Sequence, residues 1–293
     1  MIHLLLALLF STLIMVTFKI FGKFRIDTLQ AITTNYLVAI ISGILTAPAG
    51  TSVSTLLQAP WLFNAIIIGF FFITVFSVFA VSSLKAGIAI TAVSSKMSVV
   101  IPVLLGVLVL KNDTLTPVKA AGIVLALIAF YLTFRRKEPF RLKSILVILP
   151  VLLFLGNGTN DSLMSYTNVM YGVNENDDTT RLFIVVFSTA FSIGMLITLV
   201  RWLVYKVPFQ GKNLIAGIIL GLFNYLSTYY FYKALGSFPN SVFFPVFNAG
   251  IVTLSALTGF LVFREKLRPV NWAGIGASIL AIVLIAFADN YSW

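Results

Sequence analysis

The sequence predicts an all-α polytopic membrane protein of ten transmembrane helices, arranged as two inverted five-helix repeats. Hydrophobic residues make up 59% of the 293 positions and charged residues only 10%, whereas soluble domains are about half apolar and a quarter charged. The apolar residues fall into ten runs, each close to the roughly 20 residues that cross a bilayer. Short segments of the first half recur in the second half. No soluble domain of useful size fits between the runs.

Each apolar run is bounded by polar or helix-breaking residues. We expect the first run to be a retained span, since it lacks a basic leader and ends at Lys19 to Lys23 without a small-residue cleavage site. The fifth begins at Pro117, because proline suits a first helical turn. The predicted spans are about 2–21, 28–47, 62–84, 88–110, 116–134, 144–171, 182–204, 213–234, 240–263 and 269–288.

An internal repeat divides the chain near its middle. Three matches mark it: Leu115–Ile123 with Leu267–Ile275, Asp113 with Glu265, and Lys85-Ala86 with Lys233-Ala234. The repeats are predicted at residues 1–134 and 144–293, joined by a basic linker at 135–143. Because each repeat has an odd number of spans, the two enter the membrane in opposite directions. Inverted repeats of this kind are typical of secondary transporters, whose site lies near the midplane between the repeats.

Basic residues predict the orientation. The loops after spans one, three, five, seven and nine hold most of the lysines and arginines, whereas the loops after spans two, four, six and eight hold only Lys111, Lys119 and Arg181. Because cytoplasmic loops are enriched in these residues, we expect a multi-pass protein of the bacterial inner membrane with the linker in the cytoplasm and both termini outside. The net charge of +11 then reflects topology and not nucleic-acid binding.

Composition also excludes several kinds of chemistry. The chain has no cysteine and a single histidine, His3, so thiolate catalysis and histidine-based metal sites are not expected. No G-x-x-x-x-G-K-[ST] segment is present, and transport would therefore be coupled to a gradient or to exchange. We expect no cofactor and no metal. The expected partners are a small-molecule substrate and the lipid bilayer, with the protein a monomer or homodimer.

Short motifs in both halves resemble the EamA repeat of the drug/metabolite transporter superfamily. The second half carries them most fully, as Lys233-Ala234-Leu235-Gly236, Pro245-Val246, Arg264-Glu265-Lys266-Leu267 and Trp272-Ala273-Gly274. Arg264 stands where the family has glycine, and Asp113 stands in the first copy where it has glutamate. The resemblance implies ten helices in two inverted halves, a central cavity, and export or exchange of amino acids, metabolites or drugs.

The sixth predicted span contains a polar face. Asn157, Asn160, Asp161, Met164 and Asn168 follow helical spacing, so they share one side of the helix. An acid within a membrane span is by default a candidate functional group. Asp161 could bind a cationic group or carry a proton. It could instead hold helices together through a lysine or backbone amides, or lie near the outer end of a shorter span.

Lys96 is the candidate positive charge of the first repeat. Three readings remain open: it binds a substrate carboxylate or phosphate, it forms a salt bridge to Asp161, or it extends to the membrane surface. The alignment of Pro117 with Pro269, carried back without gaps, makes Asn248 the repeat equivalent of Lys96.

The eighth span supplies further candidates. Asn224 and Tyr225 are expected to line the cavity, since they lie deeper than the tyrosines at the span's end. We assign Tyr230 and Tyr232 to the aromatic belt at the membrane surface.

Inverted repeats, ten spans and charges within the membrane favour a secondary active transporter of small polar or amphipathic metabolites such as amino acids. It would work by alternating access at a midplane cavity, as an exporter or exchanger. The alternatives are an integral-membrane enzyme acting on lipids and a passive channel. A lipid-modifying enzyme needs acids or histidines clustered at one surface, and we expect no enzymatic activity.

Overall fold

The computed structural model describes residues 2–85, 94–111, 113–134, 144–264 and 267–288, and the regular secondary structure in these ranges is helical. The basic linker at 135–143, the start of the fourth predicted span at 86–93, Glu265 and the last five residues lie outside the described residues. No strand occurs in the described ranges.

The described helices follow the predicted spans closely. The short helix α3, Val53–Leu57, was not expected from the sequence. The fourth span differs from a regular helix because α5, Val100–Leu104, continues as a π-helix, Leu105–Leu110. Together with residues before it, α5 belongs to a short apolar helix, Ser94–Leu110. The helices are α1 Ile2–Phe24, α2 Thr28–Thr46, α3 Val53–Leu57, α4 Leu62–Lys85, α5 Val100–Leu104, α6 Pro117–Phe134, α7 Ser144–Tyr171, α8 Thr179–Tyr205, α9 Gly211–Leu235, α10 Asn240–Leu261 and α11 Pro269–Ala288.

Several helices have the length and composition of membrane spans. Among the described residues, six are long and apolar enough to cross a bilayer, and three further apolar helices are shorter. Helix α7 has 28 residues but carries the polar face of Asn157 to Asn168, and it is not one of these six. These helices confirm an all-helical, membrane-embedded protein.

The start and end of α2 have clear local causes. Asp27 caps the helix, since its side chain accepts hydrogen bonds from the backbone N–H groups of Leu29 and Gln30. The helix ends at Thr46, and the backbone of the next residue, Ala47, is extended because Pro48 follows it. Asp27 also accepts two hydrogen bonds from the guanidinium of Arg201 at the end of α8, at 3.1 and 2.9 Å. Burial raises the pKa of Asp27, but Arg201 and the two backbone donors outweigh it, so the pKa lies below its usual range.

We expect Arg201→Met to destabilise the protein at pH 7 by about 1 kcal/mol, since the pair is partly exposed. The folded-state pKa of Asp27 is lowered, so its stabilising contribution is present at neutral pH and is lost as pH falls through that pKa. The difference from wild type should therefore shrink below about pH 4. Thermal unfolding in detergent at several pH values measures it. A difference that stayed constant down to pH 3 would contradict this assignment.

The described residues form two compact units, each drawing on both halves of the chain. Unit 1 comprises Val78–Ser165 and Ser237–Trp293, and unit 2 comprises Ile2–Ser77 and Tyr166–Gly236. Within unit 1, α6 packs along α11, and α10 contacts both. Within unit 2, α2 packs against α8 and α9, and α1 packs against α9.

Two glycines allow close helix packing in unit 2, and their contacts match. A Cβ at Gly217 of α9 would lie 2.6 Å from the carbonyl oxygen of Ala31 and 2.5 Å from Cβ of Thr34 in α2. A Cβ at Gly69 of α4 would lie 2.5 Å from the carbonyl oxygen of Val186 and 2.7 Å from Cβ of Thr189 in α8. The spacing along the sequence from Ala31 to Val186 is the same as that from Thr34 to Thr189. The spacing from Gly69 to Gly217 is the same as that from Lys85 to Lys233, which the repeat alignment pairs.

Gly217→Ala should therefore destabilise the protein, because the new methyl group meets backbone and a branched Cβ that cannot move independently. Overpacking of this kind costs about 1–3 kcal/mol. Gly276→Ala is the matched control, since nothing lies within 4 Å of its added Cβ. The free energies of unfolding of the two variants are compared in detergent. Equal stability of the two variants would show that the contact is not tight.

Unit 1 contains a second matching pair. A Cβ at Gly122 of α6 would lie 2.5 Å from Cγ1 of Ile285, and one at Gly274 of α11 would lie 2.5 Å from the backbone nitrogen of Thr133. Gly274 follows Gly122, and Ile285 follows Thr133, by the 152 residues that also separate Lys96 from Asn248. Helices α6 and α11 therefore contact each other through positions that the repeat alignment makes equivalent.

A buried ion pair fixes the start of α10. Asp113 and Lys119 form a salt bridge of 3.2 Å with side-chain exposures of 0% and 1%. The Asp113 carboxylate also accepts hydrogen bonds from the backbone N–H and the hydroxyl of Ser241, at 2.6 and 2.8 Å. Lys119 donates as well to the carbonyl of Thr114. Lys119 was predicted to lie in a loop, and its burial in the first turn of α6 corrects this prediction.

Candidate functional site

The part of the α7 polar face from Asn157 to Met164 lies in unit 1. Asn157, Asn160 and Asp161 are each partly exposed, whereas Met164 at the next turn is buried. Gly158 allows this stretch to pack tightly, because a Cβ at this position would overlap the side chain of Ile101 in α5. Helix α7 and the segment that carries Lys96 are therefore in direct contact one turn before Asp161.

Hydrogen-bond acceptors near Asp161 remain unused. The Nδ2 group of Asn157 donates to the carbonyl of Leu153, and that of Asn160 makes only a long contact of 3.8 Å to the sulfur of Met164. The Oδ1 atom of Asn160 and the hydroxyl of Ser162 are buried and have no partner among the described residues. Over the same ranges, the Asp161 carboxylate accepts no hydrogen bond and forms no ion pair.

Lys96 lies in the same unit and is held by Asn248. Its ammonium group donates a hydrogen bond of 3.1 Å to Oδ1 of Asn248, which is 5% exposed. Asp161 of α7 carries the opposite charge. In the described part of the chain, however, no ion pair within 4 Å joins them. The direct salt bridge that the sequence left open is therefore not observed, and Lys96 keeps donors free.

Asn248 is positioned by a well-anchored helix. Near the start of α10, Asn240 donates through Nδ2 to the carbonyl of Pro102 and accepts through Oδ1 from the hydroxyl of Ser165. The carbonyl of Pro102 is one turn before the π-helix, and a Cβ at Gly106 would lie 2.9 Å from Cβ of Asn240. Asn240 thus ties α5 and α7 to the helix that carries Asn248. Buried aromatic rings line the same helix at Phe243, Phe244 and Phe247.

The remaining predicted site residues belong to unit 2. Asn224 and Tyr225 are each 5% exposed in α9. The hydroxyl of Tyr225 makes a short hydrogen bond with that of Thr46 at the end of α2, and its ring stacks on Tyr229. Oδ1 of Asn224 accepts a weak bond of 3.4 Å from Thr228, but its Nδ2 group has no partner among the described residues.

Tyr232 does not belong to a surface belt. It is 0% exposed, and its ring packs edge-on against Phe183 of α8, with centroids 5.3 Å apart. Its phenol hydroxyl has no partner within the described ranges. The assignment of Tyr232 to the membrane surface was wrong because the last turn of α9 is covered by α8 and by the loop before it, where Asn174 donates to the Tyr232 carbonyl.

Two polar features were missed from the sequence. The Asp113–Lys119 pair could have been suspected because Asp113 matches the acidic repeat position of Glu265. Asn35 lies in the middle of the second apolar run and is fully buried. An asparagine at mid-span was itself the signal that could have found it.

In the described part of unit 1, hydrogen-bond donors are free at Lys96 and hydrogen-bond acceptors are free on α7. An ammonium group has three donors, and Lys96 uses one of them on Asn248. The α7 face offers acceptors, namely the Asp161 carboxylate and Oδ1 of Asn160. The arrangement can therefore receive an anionic group at Lys96 and a cationic or proton-donating group at Asp161. In the described residues no group of three or more metal-ligating side chains occurs.

Comparison with known proteins supports the fold. No protein-family model matches the chain. An uncharacterized protein of Haemophilus influenzae is 27% identical over 298 residues, which cover 98% of each chain. A crystal structure of a protein that is 15% identical superposes with a TM-score of 0.72, covering 98% of this chain and 96% of the other. At this identity the solved structure shows a shared fold alone.

Proposed function

We propose that the protein is a secondary active transporter of small polar or amphipathic metabolites, with a substrate site at Lys96 and Asp161. The observation that carries this proposal is that Lys96 donates to Asn248 and, among the described residues, forms no ion pair with Asp161, which lies about one turn beyond the contact of Gly158 in α7 with Ile101 in the Lys96 segment. Charges within a membrane are costly and normally paired. A pair held apart leaves room for a molecule that satisfies both.

The repeat supports alternating access. We infer two inverted five-helix repeats and ten spans. The glycine contacts support this, because in each unit a contact made by one repeat recurs between the equivalent residues of the other, as expected about a two-fold axis. Lys96 and its repeat equivalent Asn248 contact each other, and a contact between equivalent residues is expected close to a two-fold axis. Substrate sites of inverted-repeat transporters lie at such a position.

A zwitterion fits the site best. Lys96 and Asp161 together carry no net charge, so a lone anion or cation would leave one of them uncompensated in a low-dielectric environment. A molecule with both charges satisfies both ends, with its carboxylate at Lys96 and its ammonium at Asp161, Asn160 and Asn157. Amino acids are the simplest metabolites of this kind. Proton transfer at Asp161 is the second use that this free carboxylate permits.

The wider setting follows from the same proposal. The EamA resemblance, the basic linker and the loop charges support a bacterial inner-membrane protein with both termini outside. A reporter that is active only outside the cytoplasm should therefore be active when it is fused after Trp293.

Counterflow in proteoliposomes tests the proposal. With a panel of radiolabelled amino acids, we expect at least one to exchange across the membrane. Its decarboxylated amine and its deaminated acid should compete about tenfold or more weakly, because each leaves a charged hydrogen bond unmade.

Lys96→Met provides the matched control. It should remove the preference for the zwitterion over the amine, while the preference over the acid remains. If no member of the panel exchanges, or if the acid alone competes as well as the zwitterion, the proposed site is wrong.

A further inference from the structure

Asn35 is a buried amide without a protein partner in unit 2. It lies near the middle of α2 and is 0% exposed. Neither its Oδ1 atom nor its Nδ2 group hydrogen-bonds to any described residue. A neutral amide in an apolar environment costs several kcal/mol when it makes no hydrogen bond, and a membrane offers no solvent to supply one.

Asn224 lies along the same helix interface. A Cβ at Gly221 of α9 would lie 2.7 Å from the backbone oxygen of Asn35, and the Tyr225 ring lies 3.7 Å from the corresponding position of Gly43. The turn of α9 that carries Asn224 therefore runs beside α2 between Asn35 and Gly43. The unpartnered Nδ2 group of Asn224 is on this turn.

Two phenol hydroxyls of unit 2 are also buried without a hydrogen-bond partner. Tyr36 follows Asn35 in α2, is 0% exposed and has its ring stacked on Phe187, with centroids 6.1 Å apart. Tyr232 packs its ring on Phe183, which in turn stacks on Phe187. Both hydroxyls lack a partner among the described residues. The apolar parts of these side chains are well packed, and their polar atoms are not satisfied.

We propose that unit 2 binds internal water molecules along the α2–α9 interface, with Asn35 and Asn224 as their main protein ligands. The unsatisfied groups include both donors and acceptors and carry no charge, which suits water and not an ion. Buried waters typically make two to four hydrogen bonds to such otherwise unsatisfied groups. This inference stands whether or not the protein is a transporter.

Single cysteines test the proposal directly, because the natural chain has none. Asn35→Cys is compared with Leu37→Cys, two residues further along α2, where the apolar side chain is 40% exposed and is expected to face the bilayer. Ser54→Cys on the exposed helix α3 is the water-accessible reference. In proteoliposomes, hydrogen peroxide, which is close to water in size, should oxidise Asn35→Cys about tenfold or more faster than Leu37→Cys, because a thiolate forms only where water reaches it.

A second measurement uses the unaltered protein. Hydroxyl radicals generated from water by X-rays should oxidise Tyr36 and Tyr232 more than Phe130, a fully buried ring of unit 1. Asn35→Cys that reacts as slowly as Leu37→Cys, while Ser54→Cys reacts fast, would overturn the proposal. If Asn35→Cys fails to fold, the footprint decides: oxidation of Tyr36 and Tyr232 at the level of Phe130 would overturn it as well.

Discussion

Asp161→Asn should abolish substrate-linked proton movement and weaken substrate binding by about 10- to 100-fold, while exchange persists at high substrate concentration. Asparagine keeps the shape of the side chain but removes its charge and its capacity to take up a proton. The loss of a charged hydrogen bond to the ligand accounts for the affinity change, at about 1.5–3 kcal/mol. Counterflow and a pH-sensitive dye in the same proteoliposomes measure both effects.

The free state of the Asp161 carboxylate makes this variant informative. It accepts no hydrogen bond within the described residues, so its replacement should leave the folded yield unchanged. Ser162→Ala is the neighbouring control, since it removes an unpartnered hydroxyl without changing charge. Wild-type affinity and proton movement in Asp161→Asn would remove Asp161 from the site. Loss of folded protein would instead assign it a structural role.

Lys119→Met should lower the free energy of unfolding by about 3–5 kcal/mol, because it leaves the carboxylate of Asp113 buried without its counter-charge. The start of α10 should loosen as well, since Asp113 holds the backbone of Ser241. Thermal or denaturant unfolding in detergent measures the change. Lys111→Met, at an exposed lysine nearby, is the control and should change stability little.

The double variant Asp113→Asn with Lys119→Met separates the ion pair from packing. Removing both charges together should recover part of the loss, because no uncompensated charge then remains. Additive effects of the two single variants would show that the charges do not stabilise each other.

The sequence predicted the helices well where apolar runs have clear ends. The predicted sixth span, 144–171, has the bounds of α7, and α6 begins at Pro117 as expected. Composition and helix-breaking residues determine such bounds locally. The π-helix at Leu105–Leu110 could not be predicted, because it accompanies contacts with Asn240, far along the chain.

The candidate site was predictable only in part. Asp161 and Lys96 stand out as charges in apolar runs, and the repeat alignment pointed to Asn248 before its contact with Lys96 was known. Whether Lys96 meets Asp161 or Asn248 depends on side-chain reach across packed helices, which spacing does not encode. The burial of Lys119 was missed for the same reason, because it donates to Asp113 and Thr114 in the loop before α6, and Asp113 is held in turn by Ser241 at the start of α10.

The matched glycine contacts also bear on how such a chain could arise. In each unit, the glycine contacts join residues of the two halves of the chain that the proposed repeat makes equivalent, as in an interface between identical subunits. The proposed inverted repeat implies a five-helix ancestor that inserted into the membrane in both orientations and made these contacts with a second copy of itself. Duplication and fusion of its gene would then preserve the interface, and each glycine would retain a counterpart with the same steric requirement.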